Sequence, residues 1–302
     1  MSKEIKGILP IAPAVYNNKG QVDYEDYASA LSCMFDEGSH GITLFGIAGE
    51  YYKLSYEEEL KLIDVTVESS RKHGKPCIIS NTRHSTEVAI EWAKHIEASG
   101  ADCMMVLPPF FLKPGGASLY EHMKAVGKAV KIPVMVQYAP EQTGVAISPD
   151  VLLRLNEECP NIIYYKIECK PPGLYIDNVV KKARPGTEVF VGNAGYQMIE
   201  GLDRGAAGVM PGPSMFDVYR SIYDLYMDGK RQEAFKVHKE LVYFLNHIRQ
   251  NVEMIIAFEK KVMKKRGFIK SDYCRSPGFT SDKIFDDTFE ELYEVISEYF
   301  TV

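Results

Sequence analysis

The stretch "PNIIYYKIECKPPG", residues 160–173, decides how the rest of the chain is read. Ile162, Ile163, Tyr164, Tyr165 and Ile167 form a continuous apolar run, the pattern of a strand covered on both faces. Lys166 breaks that run, and lysine is rarely buried without a partner or a task. Burial favours the neutral amine of a lysine over its ammonium. A neutral amine attacks a ketone and forms a Schiff base, which then draws electrons from the neighbouring carbons.

Similar apolar runs recur on both sides: residues 7–12, 41–45, 77–81, 103–107, 133–138, 162–167, 188–192 and 206–210. Amphipathic helical patterns fill the gaps, as in "SYEEELKLIDVTVESSRKHG" and "STEVAIEWAKHIEASG". Ser55 and Ser85 or Thr86 stand where helices begin, and Gly38, Gly74 and Gly100 where they end. Eight βα units at a spacing of roughly 25–35 residues predict an α/β protein, a (β/α)8 TIM barrel, over 1–225. Residues 226–302, including "RQEAFKVHKELVYFLNHIRQNVEMIIAFEKKVMKKRG", read as a C-terminal helical extension packed on the barrel. Its basic run "EKKVMKKRG" reads as a solvated helix face. Barrel active sites lie at the C-terminal ends of the strands, where Lys166 stands.

The 302 residues are 46 % apolar and 25 % charged, with a formal net charge of −6 and no basic arm. Nucleic acid and anionic membrane are therefore not expected partners. No window approaches the roughly 20 apolar residues of a membrane span, and "MSKEIKGILPIAPAVY" lacks the pattern of a signal peptide. The six cysteines form no CxxC pair, which disfavours zinc and suits free thiols in the cytoplasm. "GNAG", residues 192–195, is not a dinucleotide fingerprint.

Several residues could serve Lys166. Glu168 is two places on and shares its strand face, which makes it a candidate acid and base; the bland alternative pairs it with Lys170. Gln137 and Tyr138 end strand five, and alternation sends one inward and the other toward the helices. The glycines of "GIAGE", residues 46–50, let backbone approach an anion closely. His84 follows strand three, and Gly192 and Asn193 follow strand seven, so each is placed to touch substrate. Cys169 has no histidine near it in sequence and reads as a buried thiol.

Together these stretches resemble the dihydrodipicolinate synthase / N-acetylneuraminate lyase family, class I aldolase-type lyases on a (β/α)8 barrel. Family members show G-x-x-G-E after strand two, Y-x-x-P-x-x-T-G after strand five and a Schiff-base lysine on strand six. Gly46, Gly49 and Glu50, then Pro140, Thr143 and Gly144, then Lys166 match that order. The resemblance implies that Lys166 condenses with pyruvate or another 2-oxo acid, with no cofactor and no metal. It also implies a homodimer or homotetramer.

The departures are informative. Ile47 and Ala48 replace two threonines, Gln137 a tyrosine, and Gln142 an arginine. Phe110 and Phe111 replace a tyrosine pair, one member of which reaches a neighbouring subunit. The family's tyrosine–threonine–tyrosine proton relay is thus absent. "VMVQYAP", "YYKIEC", "NTRHSTE" and "GVMPG" are similar instead to the branch that dehydrates 2-keto-3-deoxy-pentonates, such as 2-keto-3-deoxy-L-arabonate dehydratase. That resemblance implies dehydration, or retro-aldol cleavage, of a 2-keto-3-deoxy sugar acid. Lys166, Gln137, Glu168 and Tyr138 are the candidate catalytic residues. Ile47, Ala48, Gly49, Glu50, His84, Phe111, Gly192, Asn193 and Met210 are the candidate substrate contacts. Dihydrodipicolinate synthase or N-acetylneuraminate lyase activity is the alternative, and a non-catalytic keto-acid-binding barrel the alternative of another class.

Overall fold

A computed structural model describes residues 3–302. The elements run β1 (Gly7–Ile8), α1 (Tyr24–Asp36), β2 (Ile42–Leu44), α2 (Tyr56–His73), β3 (Cys77–Asn81), α3 (Thr86–Ser99), β4 (Cys103–Val106), α4 (Gly116–Lys128), β5 (Val134–Tyr138) and α5 (Pro140–Thr143). Then follow α6 (Pro149–Glu158), β6 (Ile162–Ile167), α7 (Gly173–Lys182), β7 (Glu188–Val191), α8 (Met198–Asp203) and β8 (Gly208–Val209). The chain closes with α9 (Phe216–Met227), α10 (Arg231–Ile248), α11 (Val252–Lys265) and α12 (Lys283–Ser297). Eight strands alternating with helices make the expected (β/α)8 barrel with a C-terminal helical extension.

Local chemistry explains most boundaries. Ser55 closes a capping box with Glu58 at the start of α2, and Gly74 and Gly100 end α2 and α3 in the left-handed region. Ser85 holds the cap position of α3, but its hydroxyl goes to Glu87 instead of the helix backbone. β1 and β8 are shorter than their apolar runs, because Pro10 and Pro211 lack the N–H a ladder needs. Asn251 accepts from Met254 N and starts α11, dividing what reads in sequence as one long helical stretch.

The chain forms two compact units that cut it elsewhere than near residue 225. One holds Pro76–Met210 with the segment ending at Lys6. There β3 to β8 pair in chain order, all parallel, and α3, α4, α6 and α7 pack on one another in sequence. The other holds Gly7–Lys75 and Pro211–Val302. In it Ile11 and Thr43 form a parallel bridge, α1 packs on α2, and α9 and α12 pack on α10.

The second unit overturns the reading of "EKKVMKKRG". Glu259 and Lys260 are buried, and so is the side chain of Arg266. Glu259 accepts from the Ser214 amide and hydroxyl and from Arg249, and Arg266 grips Asp217 with two parallel bonds of 2.8 and 2.7 Å. Only Lys261, Lys264 and Lys265 reach the surface, each beside a carboxylate. Lys260 lies four residues after Ile256 and three before Met263, both buried, so it stands on the apolar stripe of α11.

Candidate active site

The register of β5, β6 and β7 sets the site. Gln137 pairs with Lys166, and Lys166 with Phe190; Tyr138 pairs with Ile167. Paired residues on neighbouring strands share a face, and the next residue along takes the other. Helix contacts identify the outer face. The Tyr165 hydroxyl donates to Leu152 O of α6, and the Asn81 amide to Ala89 O of α3. Lys166, Gln137 and Phe190 therefore face inward.

Lys166 Nζ lies 2.6 Å from Glu168 Oε1, with 4 % and 7 % of the two side chains exposed. Gln137 Nε2 donates to the same oxygen at 3.3 Å. The Lys170 alternative does not hold, since Lys170 pairs with Glu141 at 2.7 Å. So short a contact between an amine and a carboxylate is the geometry that a nucleophile and an acid–base partner would need. Phe190 on the other flank supplies an apolar neighbour that keeps the amine poorly solvated.

Gly192 makes room for this pair. Its amide donates to Ile167 O at 2.9 Å, and any Cβ there would overlap the Cγ and carboxyl of Glu168. Asn193 is the next residue, and Met210 is buried with its amide on Val191 O. Gly192, Asn193 and Met210 thus follow the C-terminal ends of β7 and β8, with Gly192 against Glu168. The Gly192 signal was present in the sequence as a glycine directly after an apolar strand.

Tyr138 does not join them. It takes the outer face and stacks on Tyr175 of α7, with centroids 4.7 Å apart, while Tyr175 donates to Ile147 O. Burial raises the pKa of Tyr138, so it is a poor proton donor as well as a distant one. Alternation along β5 gives the inward place to Gln137. His84 is exposed and packs edge-on against Phe110, at the wall of an apolar pocket of about 510 Å³ completed by Pro109, Phe111, Leu112 and Pro114. Partial desolvation beside Phe110 lowers the pKa of His84 even at this exposed position. Burial likewise pushes the Cys169 thiol up to about 11, which leaves it a poor nucleophile.

The "GIAGE" turn belongs to the other unit. Ile47, Ala48 and Gly49 form a single 3-10 turn, and a Cβ on Gly46 or Gly49 would press on Ile11 or on Ala12 O. Close packing against the segment after β1 thus accounts for both glycines. Glu50, expected as a substrate contact, has its carboxylate fully engaged. Lys260 Nζ lies 2.5 Å from Oε2, and Lys53 Nζ (3.2 Å) and Arg275 N (2.9 Å) meet Oε1. Its backbone is left-handed at φ 64°, and the three donors hold it there. Lys53, Lys260 and Arg275 hold the Glu50 carboxylate, a contact that the sequence reading missed. A charged residue on the apolar stripe of α11 was the available signal.

A barrel with a buried lysine and acid at the end of its sixth strand is the framework of the class I aldolase-type lyases. The chain matches the dihydrodipicolinate synthetase family over residues 4–295 and belongs to it, so the protein is a lyase of that type. It is 26 % identical over 297 residues to L-2-keto-3-deoxyarabonate dehydratase of Azospirillum brasilense, covering 96 % of this chain and 93 % of that protein. It is 27 % identical over 282 residues to 4-hydroxy-tetrahydrodipicolinate synthase of Campylobacter jejuni, covering 93 % and 92 %. Among solved structures, 4-hydroxy-tetrahydrodipicolinate synthase from Methylacidiphilum fumariolicum SolV superposes with a TM-score of 0.88 at 23 % identity, covering 98 % and 97 %. That likeness establishes the fold.

Proposed function

We propose that this lyase forms a Schiff base through Lys166 and dehydrates a 2-keto-3-deoxy sugar acid, with 2-keto-3-deoxy-arabonate as the leading substrate. The observation that carries the reading is the buried Lys166–Glu168 pair with Gln137 on the same oxygen. These residues stand in a chain whose hydroxyl relay is replaced by Gln137, Ile47 and Phe111. The full-length similarity to the Azospirillum dehydratase supports the same choice.

In this reading Lys166 passes its proton to Glu168 and attacks the C2 ketone, releasing one water. The iminium acidifies C3. A carboxylate takes the C3 proton, the C4 hydroxyl leaves as a second water with that proton's help, and hydrolysis of the imine returns the amine. The lysine itself is the electron sink, so no separate cofactor or metal takes part. Six free thiols suit a cytoplasmic protein, and Phe111, 79 % exposed, suits a subunit contact in a homodimer or homotetramer.

Borohydride added with pyruvate should fix a pyruvyl adduct on Lys166, read by intact mass and absent from Lys166→Ala. With 2-keto-3-deoxy-arabonate the product should weigh one water less than the substrate. Release of pyruvate instead would move the assignment to retro-aldol cleavage, and the absence of an adduct with any 2-oxo acid would reject it.

A further inference from the structure

The ends of β3 and β4 continue the inward wall on which Lys166 stands. Val106 of β4 pairs with Asn81 of β3 and with Val136 of β5, and the Leu107 amide donates to Asn81 O at 3.1 Å. The ladder therefore runs one residue past the end of β4. Two contacts mark the outer face of β3. The Asn81 carboxamide donates to Ala89 O of α3, and the Arg83 guanidinium lies 4.3 Å from the centre of the Trp92 ring on the same helix. Asn81 and Arg83 face outward, so Thr82 between them faces inward. By the same register Leu107 stands level with Gln137, and Gln137 with Lys166. One inward row thus runs Thr82, Leu107, Gln137, Lys166 around the C-terminal ends of β3 to β6, within one compact unit. Ligands of such barrels bind at those ends.

Leu107 brings no polar side-chain atom to the row, and Gln137 Nε2 is committed to Glu168. Thr82 is half-buried, and its hydroxyl has no hydrogen bond among the described residues. It is a free hydroxyl on the wall across from Lys166. Three strand spacings of about 4.8 Å separate the two residues, and the closed wall brings them to face each other across the mouth. The lysine side chain bridges part of that span. Pyruvate bound to it stops short of β3, whereas a five-carbon chain carries its terminal oxygen toward Thr82. We infer that Thr82 determines specificity by hydrogen-bonding the terminal hydroxyl of a 2-keto-3-deoxy-pentonate held on Lys166. A hydroxyl both donates and accepts, which suits another hydroxyl. A tail ending in a carboxylate would call for a cation, and one ending in a methyl would leave Thr82 unpaired. The inference rests on the proposed function and names the wall that reads the tail of its substrate.

The test compares 2-keto-3-deoxy-arabonate with its 5-deoxy analogue, 4-hydroxy-2-oxopentanoate, in the native protein, in Thr82→Val and in Thr82→Ser. Valine keeps the branched shape that suits a strand end and removes only the hydroxyl. The native protein should favour the pentonate by at least about tenfold in kcat/KM, as sites built around a substrate hydroxyl do. In Thr82→Val that preference should fall to within about twofold, the loss lying mainly on the pentonate. Thr82→Ser, which keeps the hydroxyl, should retain the preference. A native protein that treats the two acids alike, a preference that survives Thr82→Val, a preference lost in Thr82→Ser, or an equal loss on both acids would each overturn the assignment. Pyruvate trapping on native Lys166 separates the causes. Trapping without the preference sinks only the role of Thr82, whereas no trapping sinks the lyase reading and this inference with it.

Discussion

Two buried lysine–glutamate pairs, one in each compact unit, differ in how completely they are satisfied. Lys260 and Glu50 are 1 % and 0 % exposed. Glu50 accepts from Lys260, Lys53 and the Arg275 amide, while Lys260 also donates to Tyr273 O and lies 4.4 Å from the centre of the Tyr16 ring. Lys166 and Glu168 are nearly as buried, yet Glu168 receives bonds on one oxygen only, and Lys166 uses one of its donors, among the described residues. A buried pair in which both carboxylate oxygens and most of the ammonium protons are committed fixes backbone. A half-satisfied pair keeps capacity for a substrate. The difference separates a structural ion pair from the one proposed to react more sharply than burial does.

The largest expected effect sits on the pair proposed to react. Lys166→Met should abolish the borohydride adduct and reduce turnover by at least about three orders of magnitude. It should cost only about 1–2 kcal/mol in chemical unfolding, because Glu168 can take a proton or water in its place. Lys260→Met should do the reverse, losing about 3–5 kcal/mol of stability, as removal of one partner from a buried pair does. Equal destabilisation by the two substitutions would erase the contrast.

Gly192→Ala tests how tightly the reactive carboxyl is placed. The added methyl must displace Glu168, and kcat should fall about 10²-fold while Lys166 still traps pyruvate. An unchanged kcat would show that Glu168 need not sit where Gly192 lets it.

A smaller effect concerns pH. His122 is buried, its Nδ1 3.0 Å from the Thr86 hydroxyl, and burial with nearby His84 holds its pKa below the usual value, against the pull of Glu87. Below about pH 6.5 the unfolded chain takes up a proton that folded His122 refuses. Stability should therefore fall between pH 7 and pH 5, with His84 adding in the same direction. His122→Gln should flatten the dependence of Tm on pH over that window, and a profile as steep as the native one would assign it to other groups. The smallest effect should come from Tyr138→Phe. Its ring faces α7, so kcat/KM should stay within about threefold, whereas a loss typical of an acid–base group, of order 10²-fold, would return Tyr138 to the catalytic set.

Much of this protein was legible in its sequence. Period, punctuation and continuous apolar runs are local properties, and they located the strands, most of the helices and the place of Lys166. Strand alternation put Glu168 beside it and left only the choice between Gln137 and Tyr138. The tertiary structure decided what depended on distant partners. Glu50 met Lys260 across 210 residues of chain, and nothing near either one announces the other. The glycines at 46 and 49 look like an anion cradle in sequence and are accounted for by the crowding of Ile11 and Ala12. Burial of the charges on α11 likewise needed the segment ending at Arg275 to be in place. Sequence patterns record which face of an element is apolar; which charge that face must receive is set only when elements far apart in the chain are packed together.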